Sequence, residues 1–346
     1  MSVITLKEQY EEVKANNPGL RIKEYADLLK ISELELLASG LHDKATRLED
    51  KPVEIYKHLP ELGKLMVLTR NESAVHERKG VFNEVQVRGS MGLVLGADID
   101  LRIFFEDWKY VYNVEKEHRG KQLRSIQFFN KYGKAAQKVY LTNESNEEAY
   151  KMLIDGFKSD SSEIPEVEKG AKPKNYNNVE DIDFDKAIRD WNKLDDTHNF
   201  QAILDSQNIR RYELIKRAPE ELAYRVPNDA VIDILYSAVE TKTPIMVFVA
   251  NDDLVQIHTG EVHNIRLIEN WTNIMDPDFN LHLRNDLIAE SYVVKKPGDA
   301  GGTVTSLELY DMDGELAITF FGKRKPGIPE LESWREIISK LEKADY

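Results

Sequence analysis

Apolar positions along this chain change their period partway through, and the change repeats. Over residues 5–17, and in two short runs between Arg21 and Ala38, they recur at helical spacing. Tyr25, Leu28 and Leu29 share a face there, Ser32 with Glu33 opens the next helix at an N-cap, and Asn16-Asn17-Pro18-Gly19 stops the first one. From about Met66 short β-branched and aromatic runs broken by Asn and Gly take over, which predicts strands. An amphipathic helix with Tyr150, Leu153 and Ile154 on its apolar face then follows.

The whole progression occurs twice. Met66-Val67-Leu68-Thr69-Arg70-Asn71-Glu72-Ser73-Ala74-Val75, with Gly80 beyond, matches Met246 to Val255, with Gly260 beyond, at an offset of 180. Leu101-Arg102 aligns with Leu283-Arg284 and Tyr110 with Tyr292 at an offset of 182, and Ser125 to Gly133 with Ser306 to Gly314 at 181. The second copy ends in its own amphipathic helix, with Trp334, Ile337 and Ile338 apolar. Residues 158–183 are polar and carry Pro, Gly and Asn, so they read as a linker. The expected architecture is α+β with internal duplication: an N-terminal repeat (1–157), the linker (158–183) and a C-terminal repeat (184–346). Each repeat holds an antiparallel β-sheet flanked by helices. Strand–helix–strand alternation is missing, which argues against a parallel doubly wound sheet.

Composition narrows this picture by exclusion. With no cysteine among 346 residues, disulfides, thiolate metal sites and Cys nucleophiles are ruled out. A net charge of −14 without a basic stripe argues against nucleic acid and against anionic membrane surfaces. The N-terminal residues lack the basic head and apolar run of a signal peptide, and the longest apolar run, Ile245 to Ala250, is far too short for a span; the expectation is cytoplasmic.

Candidate chemistry is sparse. No phosphate loop, GxGxxG or GxSxG occurs, and none of the eight histidines forms an HxH or HxxxH pair. Asp98, Asp100, Asp252 and Asp253 read as turn residues or a solvated face. HxxE spacing at His58–Glu61 and His258–Glu261 is interrupted by Pro60 and Gly260. His198, in Asp195-Asp196-Thr197-His198-Asn199-Phe200, stands in an N-cap-like run, which taken alone suits a merely packed or hydrogen-bonded helix-start histidine. His282 and Arg284 alternate with Leu281 and Leu283, so they share a strand face that is either exposed or lines a polar cavity. Arg102, Lys295-Lys296 and Arg324 sit in or beside apolar strands, where each cation needs a carboxylate from the protein or a ligand.

The strings VQIHTGEVHN (255–264), WTNIMDPDFNLHLR (271–284), VVKKP (293–297), TSLELYDMDGEL (305–316) and FFGKRKPG (320–327), with TRNESAVHERKGVF (69–82) and VLGADIDLRIFFEDW (94–108), together resemble the bacterial haemin-degrading or haemin-transport factors. The resemblance covers essentially the whole chain. It departs modestly, with Asn270 where Pro is frequent and Lys295 where Arg is common. It implies a haem cleft between the halves, His198 as the axial ligand of haem iron, Arg102 on the distal face, and propionate contacts from Arg210, Lys296 and Arg324. The register is open at Arg210/Arg211 and at Lys323/Arg324/Lys325. It also implies haem as ligand or substrate, an external electron donor, a haem uptake system as partner, and a monomer or homodimer. Two functions follow from it: opening the porphyrin ring to release iron, or carrying intact haem to a separate oxygenase. A duplicated sheet protein for another small planar ligand is the third reading.

Overall fold

The computed structural model describes residues 5–118, 120–161, 163–298, 302–324 and 328–344. In the first half, helices α1 (Leu6–Asn16), α2 (Ile22–Leu29) and α3 (Glu33–Ala38) lead into β1 (Lys44–Arg47) and α4 (Pro52–Lys57). Strands β2 (Gly63–Arg70), β3 (Ala74–Val81), β4 (Val85–Arg88), β5 (Met91–Leu95), β6 (Asp100–Phe104), β7 (Trp108–His118), β8 (Lys121–Asn130) and β9 (Ala135–Ser145) follow, closed by α5 (Glu147–Phe157). The second half repeats the order with α6 (Phe184–Asn192), α7 (Phe200–Ser206), α8 (Arg211–Arg217), β10 (Ala223–Val226) and α9 (Ala230–Thr241). Its strands are β11 (Ile245–Ala250), β12 (Leu254–Gly260), β13 (Ile265–Ile268), β14 (Trp271–Met275), β15 (Phe279–Arg284), β16 (Ile288–Pro297), β17 (Thr303–Asp311) and β18 (Leu316–Gly322), and α10 (Glu332–Ser339) ends it.

The helix starts follow from local hydrogen bonding. Thr5 and Ser32 each form a capping box with a glutamate three residues on, which satisfies donors the first turn would otherwise leave orphaned. The strands owe their faces to alternation: β15 reads buried, half-buried in strict succession, which buries Phe279, Leu281 and Leu283. Among the described residues no helix is long and apolar enough to cross a membrane.

Two units assemble from non-contiguous pieces of chain. The first comprises Met1–Thr69, Lys79–Lys172 and Asn251–Leu254. It holds the antiparallel order β1-β7-β8-β9-β2 and a meander of β6, β5 and β4 over a core that includes Leu65, Val67, Phe128 and Leu254. The second comprises Arg70–Arg78, Pro173–Ala250 and Val255–Tyr346. It holds the order β10-β16-β17-β18-β11-β12 and a set in which β15 pairs with β14 on one side and with residues of β3 on the other. α9 and α10 pack their apolar faces on its core around Trp334 and Phe320.

Strand registers correct two of the expected repeat alignments. Val94 faces Leu101 and Leu93 faces Arg102, while Ile274 faces Leu281 and Asn273 faces His282. The counterpart of Arg102 is therefore His282, not Arg284, and the offset is 180. Tyr112 faces Gln127 just as Tyr292 faces Glu308, so Tyr112 rather than Tyr110 is the partner of Tyr292. Both β7 and β16 carry a bulge at the same place, after Trp108 and Ile288, which keeps the two copies in step. Only beyond the hairpin does the offset become 181, as Ser125 and Ser306 require.

Candidate functional site

The turn that carries His198 is held from both ends. α6 is capped by Asp183 and finishes on Trp191, which is fully buried and donates from Nε1 to the Lys295 carbonyl at 3.0 Å. α7 opens on Phe200, also buried, whose ring meets Trp191 edge to face at 4.9 Å between centroids. Between these anchors a short 3₁₀ turn, Thr197–Asn199, is N-capped by Asp196. One carboxylate oxygen of Asp196 accepts from the His198 backbone N–H at 2.8 Å and from its Nδ1 at 2.6 Å. These bonds hold the Asp196 carboxyl below its usual range, the backbone donor first and the ring second. A carboxylate only accepts, so the network puts a proton on Nδ1, and in the neutral ring the lone pair is then on Nε2. The His198 side chain is nevertheless 72% exposed.

Cations gather beside this turn. Half-buried Arg324 donates from Nη1 to Thr197 Oγ1 at 3.1 Å, while Lys323 is exposed; Lys325 lies outside the described residues. Below Phe200, Glu308 is completely buried on β17. It accepts a bidentate pair from Arg211, Nε at 2.8 Å and Nη2 at 2.6 Å. The Lys296 Nζ at 3.2 Å, the Ser306 hydroxyl at 3.1 Å and the Tyr310 hydroxyl at 2.6 Å complete its shell. Lys296 and Arg211 also lie over the Phe200 ring, at 4.4 and 5.0 Å. Burial works to raise the pKa of Glu308, but Arg211 and then Lys296 overcome it and hold the carboxyl well below the usual range. Lys296 moves the other way: burial and the neighbouring Arg211 outweigh Glu308 and bring it down to about 8.

Of the residues expected in a site, His198, Lys296 and Arg324 therefore come together around one turn of the second unit. Arg210 lies at its flank and donates to Glu315 at 2.8 Å and to the Asp313 carbonyl. Its neighbour Arg211 is the one that joins the Glu308 cluster. Arg102 stands on β6 in the first unit, paired with Asp100, whose carboxyl burial pushes up in spite of the guanidinium beside it. His258 is almost fully buried and, among the described residues, neither of its ring nitrogens has a hydrogen-bond partner, whereas His282 is fixed through Nδ1 to Asn273 Oδ1 at 2.7 Å. Among the described residues no cluster of three or more His, Asp and Glu side chains is placed to hold a metal ion.

Several important residues escape sequence reasoning. Asp196 reads as part of a cap, and Glu308 as an ordinary strand carboxylate. The signal for Glu308 is the alternation of Ser306, Glu308 and Tyr310 onto one face, two hydroxyls flanking an acid. Asp253, expected as a turn residue or on a solvated face, does stand in a turn but is buried there; it accepts from Asn130 at 2.8 Å and is pushed up by burial to about 6. Pro60 does not separate His58 from Glu61: the 3₁₀ turn Leu59–Leu62 brings Nδ1 within 2.8 Å of the carboxylate, an exposed pair whose imidazole also packs on Phe157.

An orientation-fixed, exposed imidazole beside half-buried cations suits an anionic ligand that presents a metal ion. Comparison with known proteins bears on that chemistry. A family model described as the haemin-degrading HemS.ChuX domain matches the chain twice, at residues 30–157 and 208–341. Hemin transport protein HemS of Yersinia enterocolitica is 34% identical over 344 residues, covering 99% of this chain and 98% of that protein. The crystal structure of holo-PhuS, a haem-binding protein from Pseudomonas aeruginosa, superposes with a TM-score of 0.91 at 39% identity, covering 98% of this chain and 99% of the other. That of ChuS, described as an E. coli haem oxygenase, gives 0.85 at 33% identity, covering 96% and 98%.

Proposed function

The chain belongs to the family defined by the haemin-degrading HemS.ChuX domain, which it carries twice, and from that premise we propose that it binds haem in haem-iron acquisition and opens the ring to release the iron. The observation that carries the proposal is His198: an exposed imidazole, held by Asp196 so that Nε2 is the nitrogen offered to a ligand. A neutral histidine nitrogen is the usual axial donor to haem iron. In this reading haem is the substrate. His198 is its axial ligand and Arg324, which donates from Nη1 to the Thr197 hydroxyl beside it, is the nearest propionate contact to that turn. Arg210 and Lys296 serve as further propionate contacts by exchanging Glu315 and Glu308 for the ligand carboxylates. Arg102 is the distal donor on the family resemblance, with Asp100 as its partner until ligand arrives. Haem, once bound, supplies the site of oxygen chemistry; the protein's own groups orient it and set the charge around it.

The proposal places the protein in the cytoplasm, as monomer or homodimer, receiving haem from an uptake system and electrons from an external donor. Its test is direct. Purified protein loaded with one equivalent of haemin, given ascorbate and air with catalase present, is expected to lose its Soret band and release chelatable iron. An unchanged Soret band under those conditions leaves a carrier that hands on intact haem. A haemin titration of wild type beside His198→Ala tests the ligand: the variant is expected to lose the histidine-ligated spectrum.

A further inference from the structure

The carboxylate beside His198 is more than a cap. Asp196 Oδ1 takes two donors from one residue, the His198 backbone N–H at 2.8 Å and Nδ1 at 2.6 Å, and so fixes the ring's rotation as well as its tautomer. The turn around it is braced independently. Asn199 Nδ2 reaches Asp195 Oδ1 at 3.4 Å on one side, Arg324 Nη1 holds Thr197 Oγ1 at 3.1 Å on another, and Phe200 is buried at its end. The two hydrogen bonds among those braces end on Asp195 and Thr197, not on the imidazole.

We propose that Asp196 is a positioning residue for the axial ligand, and that its carboxylate tunes the bound iron through the His198 ring. The inference rests on His198 being that ligand. The physical chain is short. Iron bound at Nε2 draws electron density from the ring and makes the Nδ1 proton more acidic. A carboxylate 2.6 Å away then bonds that proton more strongly and gives the ring partial imidazolate character. A more basic ligand favours ferric over ferrous iron, so Asp196 holds the cargo in its oxidised form and lowers its reduction potential. Such an orienting partner raises metal affinity by about 10–100-fold in comparable histidine sites. The same bond keeps Nδ1 from competing for iron, so that only one ring nitrogen is offered.

The experiment uses the full chain loaded with haemin, comparing wild type, Asp196→Asn, Asp196→Ala, Asp195→Asn and His198→Ala. The ferric/ferrous midpoint potential is read by spectroelectrochemistry, and the iron–histidine stretch of the ferrous form by resonance Raman. The expected result is graded. Asn still accepts from Nδ1 but without charge, so the potential rises in Asp196→Asn and rises further in Asp196→Ala, while the stretch falls in the same order. Asp195→Asn, whose carboxylate contacts Asn199 and not the ring, stays at the wild-type values. If both Asp196 variants keep the wild-type potential and stretch while His198→Ala loses the band, the ligand assignment stands and the inference about Asp196 is overturned. If His198→Ala keeps the wild-type band, both fall together.

Discussion

Burying a carboxylate as completely as Glu308 is tolerable because it is paired: the bidentate Arg211 guanidinium supplies the counter-charge, and an ammonium and two hydroxyls complete the shell. The first repeat shows what the position looks like without that need. Its counterpart is Gln127, facing Tyr112 as Glu308 faces Tyr292, and it donates to Ser125 at 3.0 Å. Glutamine therefore fits the space, yet in the second unit it would leave Arg211 and Lys296 without their counter-charge. Glu308→Gln is expected to destabilise the protein by about 3–5 kcal/mol in urea unfolding, the range for breaking a buried pair from one side. Lys296→Met makes the contrasting case. Burial already works against that ammonium, Met fills a similar volume over Phe200, and Glu308 keeps the bidentate Arg211 as its counter-charge, so the loss is expected to stay within about 1 kcal/mol. Because the fold survives, a weaker haemin titration in Lys296→Met would report its propionate contact and not a structural defect.

At the scale of elements, the exchanged turns explain what the sequence could and could not reveal. Asn71 closes the turn before β3 by accepting from the N–H groups of Ser73 and Ala74 at 3.0 and 2.8 Å. Its amide donates to the carbonyls of Ala250 and Ala317 at 2.9 and 2.8 Å, all within the second unit. Asn251 closes the matching turn and donates to Ala136 at 2.9 Å within the first. The matched Asn-x-x-x-Val strings were visible as a repeat, but a one-dimensional pattern does not say which unit a turn will join. Asn71→Ala removes two donated and two accepted bonds, and about 2–3 kcal/mol of stability is expected to go with them, read as a lower urea midpoint. α1 and α3 were legible because breakers and caps mark their ends: Asn17-Pro18-Gly19 after α1, Ser32 before α3. β1 and β10 were not, since four residues such as Lys44–Arg47 cannot display alternation. The strand alignment slipped by two at Arg102 because Leu-Arg recurs at 283–284, and side-chain identity outvoted a register that only backbone pairing reveals. His198 was singled out through family strings, whereas the contacts of Asp196 and Glu308 come from distances between residues far apart or from a turn geometry that composition does not encode.

For the molecule as a whole, the pH dependence of stability should be governed by buried groups of opposite sign, two histidines and one aspartate. In the second unit His258 stacks on Phe279 at 3.7 Å, and His76 lies 5.0 Å from the same ring. Among the described residues neither histidine has a hydrogen-bond partner on its ring nitrogens. Burial, with Arg78 adding to it, brings His258 down to about 3, and burial, His258 and Arg78 push His76 well below its usual value. An unfolded histidine takes up its proton near pH 6.5, so from there down to about pH 3 the unfolded chain binds a proton that folded His258 refuses. That stability is present in full above pH 6.5 and is lost as pH falls, on the order of a few kcal/mol by pH 4. Asp253, in the first unit, is raised to about 6 and behaves in reverse: its contribution is full below about pH 3.8 and lost as pH rises through 6. The measurement is the urea midpoint from pH 4 to pH 8 for wild type, His258→Phe and Asp253→Asn. The phenylalanine variant keeps the stack on Phe279 without a titrating ring, so its acid limb should be flatter, with the largest gap from wild type near pH 4. Asp253→Asn should exceed wild type by about 2–3 kcal/mol above pH 7 and converge with it at pH 4, because the asparagine oxygen still accepts from Asn130 while the buried charge is gone. Parallel curves for His258→Phe and wild type across the whole range would mean that the buried ring does not set the acid limb, and exposed carboxylates would then have to account for it.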